Sequence, residues 1–285
     1  MFIWLASYPK SGNTLIRALL ASYFFSKDGV FNFEIIKNIK QFPHAGVFEK
    51  LGININNEKE VIKNYIRAQE SINQKNSIQF LKTHSYLFNI ENNPFTDLNN
   101  TLGAIYIVRD PRNVVTSYAH HNSLTVEESA DRMIGSLEYG GKTSSEHISD
   151  RTKVYMGSWS SNYNSWKSFQ SPGKYLLIKY EDIIIDKEKI LIKILEFIYK
   201  LKGITFNVDH QKIKNVVSST SFEKMKEMEK KEGFIEAKVN FKTGKKIPFF
   251  NLGSKNIWEN NLNTEIRNKI ESSFKNEMIE LGYLK

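Results

Sequence analysis

The chain has 285 residues, of which 40% are hydrophobic and 25% charged, so it can form a substantial hydrophobic core. It contains no cysteine, which excludes a disulfide framework, a thiolate zinc site and a cysteine nucleophile. A net charge of +9 is compatible with a solvated lysine-rich surface and equally with binding of a polyanion.

The first residues lack the basic segment of a secretory signal, and no apolar run approaches the roughly 20 residues of a membrane helix. We therefore expect a cytoplasmic protein with no transmembrane segment. No repeat or linker divides the chain, which predicts a single domain over residues 1–285.

Short apolar segments followed by polar turns alternate with helical patterns along the chain. Such segments are typical of buried parallel strands. The predicted strands are Phe2–Ala6, Ile78–Leu81, Gly103–Val108 and Tyr175–Lys179. One helix is predicted after Asp186 and a last one over residues 266–281. This order predicts an α/β fold with a mostly parallel sheet.

The turn after the first predicted strand has the composition of an anion site. It reads Ser7-Tyr8-Pro9-Lys10-Ser11-Gly12-Asn13-Thr14 and leads into a helix. Free backbone N–H groups and the positive end of the helix dipole converge at such a turn. It is not a Walker A loop, and Gly140-Gly141-Lys142-Thr143 is not one either, because Ser136 stands where the first glycine is required.

A second anion site is indicated at the end of the third predicted strand. Arg109 ends that strand, and Asp110 and Pro111 are suited to the start of a helix. The planar guanidinium of arginine can donate two hydrogen bonds to one phosphate. Ser117 follows about two turns into the helix.

Together these segments resemble the sulfotransferase family that uses 3′-phosphoadenosine 5′-phosphosulfate (PAPS). Residues 8–14 are similar to the family's 5′-phosphosulfate loop, and residues 108–118 to its 3′-phosphate motif. The further matches, in the family's order, are Leu81-Lys82-Thr83-His84, Gly157-Ser158-Trp159 with Trp166, Lys179-Tyr180-Glu181-Asp182 and Thr220-Ser221-Phe222. The resemblance implies a P-loop-like three-layer fold, with a central sheet flanked by helices.

The resemblance also implies a role for each matching residue. Lys10 would contact the bridging oxygen of the sulfate, His84 would be the general base, and Lys82 would neutralise charge on the moving sulfuryl group. The residues that would bind the nucleotide are Lys10, Ser11, Gly12, Asn13 and Thr14 at the 5′ end, Arg109 and Ser117 at the 3′-phosphate, Tyr180, Thr220 and Phe222 at the adenine, and Gly253. No metal is expected.

The chain departs from the family at two places. Leu15 stands where many members have a tryptophan that stacks on adenine, and the family's Arg-Lys-Gly segment is Asn251-Leu252-Gly253 here. Lys255 or Lys245 would be the cation that compensates at the 3′-phosphate.

The acceptor is expected to be a hydroxyl of a small molecule, a glycan or a lipid. The segments outside the nucleotide motifs that would form its pocket are Phe31–Phe48, Tyr139–Tyr155 and Glu232–Pro248, and they mix aromatic with basic residues. His120, one turn beyond Ser117, is a further candidate to face the acceptor.

Two alternatives remain open at the level of sequence. One is a phosphotransferase that uses ATP and Mg²⁺, for which no Walker B context is visible. The other is a basic nucleic-acid-binding protein, although the aromatic residues mostly fall in strands and helix stripes, so no nucleic-acid partner is expected.

Overall fold

The computed structural model describes residues 1–73, 77, 79–135, 137–139, 152–170, 172–240 and 243–285. The strands in chain order are β1 Phe2–Ser7, β2 Lys40–Gln41, β3 Gln79–Thr83, β4 Asn89–Ile90, β5 Asn93–Pro94, β6 Thr101–Val108, β7 Leu137–Tyr139, β8 Val154–Gly157, β9 Tyr175–Lys179, β10 Lys238–Val239 and β11 Lys246–Ile247. The α-helices are α1 Asn13–Phe25, α2 Ala45–Lys50, α3 Glu58–Lys63, α4 Tyr65–Ile72, α5 Pro111–Asn122, α6 Val126–Ile134, α7 Trp159–Trp166, α8 Tyr180–Ile185, α9 Lys187–Leu201, α10 His210–Ser219, α11 Phe222–Glu232, α12 Thr264–Ser273 and α13 Lys275–Glu280. Short 3₁₀ helices cover Ile35–Asn38, Lys167–Phe169, Gly253–Lys255 and Trp258–Asn260.

The central sheet has five strands in the order β2-β3-β1-β6-β9, and every neighbouring pair is parallel. The four predicted strands are confirmed within two residues at each end, although Ile78 lies outside the described residues. The α/β prediction is therefore correct. The edge strand β2 has only two residues, too few to produce a pattern in the sequence.

Each face of the sheet is covered by helices, because successive side chains of a buried strand point to opposite faces. Trp4 and Ala6 pack on one side with α7 and α12, whereas Ile3 and Leu5 pack on the other with α1 and α9. The result is the predicted three-layer arrangement. No helix in the described part of the chain is long and apolar enough to cross a membrane.

The helix predicted after Asp186 is confirmed as α9, whose first turn is capped by the Asp186 carboxylate accepting from Lys189 N at 2.9 Å. The prediction of one last helix is wrong, because α12 and α13 are separated at Phe274. The Phe274 ring is buried 5.1 Å from the Trp159 ring. That contact lies far away in the sequence, and it accompanies a backbone (φ −119°, ψ 20°) that has left the helical region.

The parallel sheet brings the predicted motifs to one edge. The carboxyl ends of β1, β3, β6 and β9 all point the same way, with Ala6 beside Thr83, Ser7 beside Ile107, and Val108 beside Lys179. Ligands of open α/β sheets bind outside this edge.

Candidate functional site

The loop after β1 has a backbone that requires glycine. Gly12 has φ +101°, and a Cβ atom there would lie 2.5 Å from the ring of Tyr180. The Asn13 amide braces the loop from inside by donating to Leu5 O at 2.9 Å and to Ser7 Oγ at 3.1 Å. The loop is thus held closely against the start of α8.

Arg109 joins the two predicted anion motifs. Its Nη1 donates to Lys10 O at 3.3 Å, and its guanidinium carbon lies 4.3 Å from the centre of the Tyr180 ring. Burial raises the pKa of Tyr180, whereas the charge of Arg109 opposes that shift. The structure therefore brings Lys10, Arg109 and Tyr180 together, with Ser117 two turns into α5.

Two buried donors in this cluster fit an anionic ligand. Ser11 Oγ and Arg109 Nε have no hydrogen-bond partner among the residues that the structure describes. A buried donor without a partner is costly, and such groups are usually satisfied by a ligand or water. The phosphates of PAPS would supply acceptors for both, so the residues present fit this nucleotide.

His84 follows β3 and is oriented by two hydrogen bonds. Its Nδ1 lies 2.8 Å from Ser7 O, and Asn162 Nδ2 donates to His84 O at 2.9 Å. Because a carbonyl oxygen only accepts, Nδ1 carries the proton and Nε2 carries the lone pair. Burial and the nearby Lys82 lower the pKa of His84 to about 3, so the imidazole is neutral at physiological pH.

Lys10 occupies a half-buried position with positive neighbours. Its Nζ lies 4.0 Å from the centre of the Phe249 ring. Burial lowers the pKa of Lys10 to about 7, with Lys82 and Arg109 adding to the shift and Glu236 opposing it. This ammonium group therefore titrates near neutrality.

Glu236 lies at the centre of the site, although no motif distinguishes it within the predicted acceptor segment Glu232–Pro248. Its carboxylate accepts a hydrogen bond from Thr14 Oγ1 at 2.9 Å, forms an ion pair with Arg17, and lies 3.4 Å from Lys82 Nζ. Burial opposes its ionisation, but Lys82 and Arg17 hold the pKa of Glu236 well below its usual range.

Of the residues assigned to adenine, Tyr180 lies beside Arg109, whereas Thr220 and Phe222 lie at the junction of α10 and α11. Phe222 is at the start of α11 and packs on Gly253, where a Cβ atom would lie 2.7 Å from the Phe222 ring. Asn256, next to this turn, accepts from Thr116 Oγ1 at 2.9 Å and so ties the segment to α5. The Thr220 hydroxyl, directly after α10, is fully buried and donates to Val216 O in the last turn of that helix at 2.7 Å.

The structure also locates the cations considered for the altered Arg-Lys-Gly segment. Lys245 and Lys255 are exposed. Lys226, which lies in none of the matching motifs, donates to Asn251 O at 2.9 Å, and its Nζ lies 5.6 Å from the centre of the Phe222 ring.

The two adjacent histidines of α5 differ in their surroundings. His120 is exposed, with Nε2 3.3 Å from Pro248 O. The His121 ring is 5.6 Å from that of Phe249, and burial together with Lys10 lowers its pKa to about 2. His121, which was not predicted, is therefore the one on the Lys10 side.

Most aromatic residues of the predicted acceptor segments are core residues. Phe31, Phe33 and Phe234 pack with Phe250 in a small separate core, and Phe42 belongs to the main one. Residues 140–151, which hold most of the Tyr139–Tyr155 segment and the Gly140-Gly141-Lys142-Thr143 turn, lie outside the described residues.

Comparison with known proteins gives similar enzymes over most of the chain. A family model described as the sulfotransferase domain matches residues 2–282. The chain is 27% identical to luciferin sulfotransferase of Photinus pyralis, over 79% of this chain and 56% of that protein. It is 24% identical to flavonol 3-sulfotransferase of Flaveria bidentis, over 94% of this chain and 79% of that protein.

Solved structures show the same fold at lower identity. Retinol dehydratase in complex with androsterone and the inactive cofactor PAP (adenosine 3′,5′-bisphosphate) has a TM-score of 0.59 at 17% identity, covering 97% of this chain and 80% of the other. A mouse sulfotransferase complexed with PAP has a TM-score of 0.52 at 18% identity, covering 98% of this chain and 84% of the other. The match of the domain model to nearly every residue confirms the resemblance seen in the motifs: the chain belongs to the sulfotransferase family.

Proposed function

We propose that the chain, acting as one domain over residues 1–285, transfers the sulfuryl group of PAPS to a hydroxyl of an acceptor. The observation that carries this proposal is the meeting of both anion motifs with a neutral, oriented histidine at one edge of the sheet. The PAP named in the complexes of two structural neighbours supports the choice of nucleotide.

In this proposal the nucleotide is bound at three points. The backbone of the loop with Ser11 and Thr14 binds the 5′-phosphate, because N–H groups at a helix start attract anions. Arg109 and Ser117 bind the 3′-phosphate, while Tyr180 and Phe222 flank the adenine, with Thr220 and Gly253 shaping that pocket through their backbone. Gly12 and Asn13 fix the loop. We propose no metal in this site.

When bound, PAPS supplies an activated sulfuryl group. Lys10 and Lys82 stabilise the negative charge that moves toward the phosphate, an effect that is strong in a dry, preorganised site. His84 Nε2 accepts the proton of the acceptor hydroxyl. A nearby anion raises the pKa of a histidine, so the bound donor makes His84 a stronger base.

We propose a small-molecule hydroxyl as the acceptor, because the relatives' names specify luciferin and a flavonol. Glycan or lipid acceptors and the cytoplasmic location stay predictions. A library of phenols, steroids and sugars incubated with PAPS and read by mass spectrometry would identify the class. Sulfation of none of them by protein that binds PAP would contradict transfer to small-molecule hydroxyls.

The role of His84 is tested by His84→Gln with an acceptor found in that library. A positioned acid–base group contributes about 10²–10⁴-fold to a rate, so single-turnover transfer should fall by that factor. PAP affinity, measured by calorimetry, should be nearly unchanged because His84 is not assigned to the phosphates. Transfer at the wild-type rate would remove His84 from the mechanism.

A further inference from the structure

The Glu236 carboxylate occupies a position that the nucleotide needs. Three donors from two elements converge on it: Thr14 of α1 at 2.9 Å, Arg17 of α1 in an ion pair, and Lys82 of β3 at 3.4 Å. Under the proposed function, on which this inference rests, Thr14 binds the 5′-phosphate and Lys82 contacts the sulfuryl group. Thr14 and Lys82, which would bind adjacent groups of the nucleotide, therefore both contact the Glu236 carboxylate.

The Thr14 hydroxyl has one proton to donate, so it cannot donate to the Glu236 carboxylate and to a phosphate at the same time. Like charges about 4 Å apart in a partly buried site also repel by several kcal/mol. Binding of the nucleotide therefore requires Glu236 to leave.

Arg17 depends on an anion at this point. Its side chain is only 8% exposed, its Nη2 donates to Ile39 O at 3.2 Å, and its Nε has no partner in the described part of the chain. Removing one member of a buried ion pair leaves the other charge uncompensated, which is strongly unfavourable. When Glu236 leaves, the guanidinium needs another anion in the same place.

Glu236 belongs to a segment that can move away from the sheet. It lies between α11 and the two-residue strand β10, and it follows Gly233, an exposed residue with φ +76°. Phe234 is buried with Phe33 and Phe250 and anchors the segment, but the following Ile235 is 68% exposed, so the turn after Phe234 can move while Phe234 stays packed.

We propose that Glu236 occupies the place of the donor's phosphosulfate group in the nucleotide-free protein, and that Arg17 becomes a further ligand of that group once Glu236 is displaced. Glu236 is then an internal competitor. The apparent association constant for the nucleotide then equals the intrinsic constant multiplied by the fraction of molecules in which the carboxylate has left the site.

The first test is Glu236→Gln, with Glu232→Gln as its control. Glu232 is exposed and four residues away, so its variant removes the same charge without changing the carboxylate that Thr14, Arg17 and Lys82 contact. PAP should bind Glu236→Gln at least fivefold more tightly than wild type, and Glu232→Gln should bind like wild type. Adenosine 3′-monophosphate, which lacks the 5′ group, should bind all three proteins equally. Equal PAP affinity in Glu236→Gln and wild type would overturn the competition.

The second test separates a ligand role of Arg17 from simple pairing with Glu236, through a double-mutant cycle. If Arg17 binds the nucleotide, Arg17→Gln with Glu236→Gln should bind PAP at least tenfold more weakly than Glu236→Gln alone. If Arg17 only pairs with Glu236, the two proteins should bind equally. Thermal unfolding by circular dichroism verifies folding, and Arg17→Lys in the Glu236→Gln background, which keeps the charge, should show a smaller loss of affinity.

Failure of this inference differs from failure of the proposed function. If wild type binds PAP but Glu236→Gln binds it no more tightly, only the inference falls. If neither wild type nor any variant binds PAP, the proposed function falls.

Discussion

Lys10 makes nucleotide binding sensitive to pH near neutrality. Its pKa of about 7 in the nucleotide-free protein means that half the molecules carry the charge at pH 7. A bound phosphosulfate would raise that pKa, so above pH 7 binding must be accompanied by uptake of a proton. The phosphates of PAP are already dianionic there, because their second pKa is about 6.

We therefore expect PAP affinity to fall by up to about tenfold per pH unit between pH 7 and 9, because each pH unit removes tenfold of the charged lysine. Calorimetry at several pH values measures this slope. Lys10→Arg keeps its charge throughout the range and should give a flat profile. A flat profile in wild type would contradict the assigned position of Lys10 at the anion.

The residues that sequence could identify are those whose chemistry is local. Arg109 directly follows one predicted strand and Lys10 lies in the turn after another, and the parallel sheet brings them within one hydrogen bond of each other. Glu236 could not be found in this way, because its partner Arg17 is 219 positions away and no spacing connects them. His120 was predicted to face the acceptor, but His121 is the histidine on the Lys10 side. Its position depends on packing against Phe249, which helical spacing in the sequence does not reveal.

At the scale of elements, α5 is fastened to the C-terminal part of the chain through Arg112. Its guanidinium pairs with Asp110 and Glu271 at 2.7 Å each, donates to Tyr283 O at 2.9 Å, and lies 4.1 Å from the centre of the Trp258 ring. The helix that carries Ser117 is thus held in place by a buried ion-pair network.

Arg112→Ala should lower the free energy of unfolding by about 3–5 kcal/mol, because it leaves two carboxylates without their cation in a buried site. Lys269→Ala is the control, since it removes an exposed ion pair of α12, the helix that carries Glu271, and should cost less than about 1 kcal/mol. Urea denaturation measures both. Equal losses in the two variants would show that the Arg112 network does not stabilise the fold as its burial indicates.

The strands and α9 were predictable because apolar patterns and caps are local signals. The last helix was not, since its break at Phe274 depends on the Trp159 ring. In the described part of segment Glu232–Pro248 each strand has two residues, and the position of Glu236 is set by charges from elsewhere in the chain.

Over the whole molecule, the net charge of +9 left several partners open. The fold gathers part of that charge at one sheet edge, where Lys10 follows β1, Arg17 lies on α1, Lys82 lies on β3 and Arg109 follows β6. Lys10, Arg17 and Lys82 all interact with the Glu236 carboxylate. This arrangement suits a compact, multiply charged anion, whereas a nucleic acid would need cations spread along a surface. The binding of these residues to PAP stays a prediction.

Thermal unfolding of the wild-type protein with PAP, with ATP and Mg²⁺, and with an oligonucleotide tests the central claim most directly. A ligand at 100 times its Kd stabilises the folded state by about 2.7 kcal/mol. We predict a clear increase of Tm with PAP that grows with its concentration, and a much smaller one with the other two ligands. Stabilisation by ATP and Mg²⁺ without any effect of PAP would contradict the sulfotransferase proposal and favour a phosphotransferase.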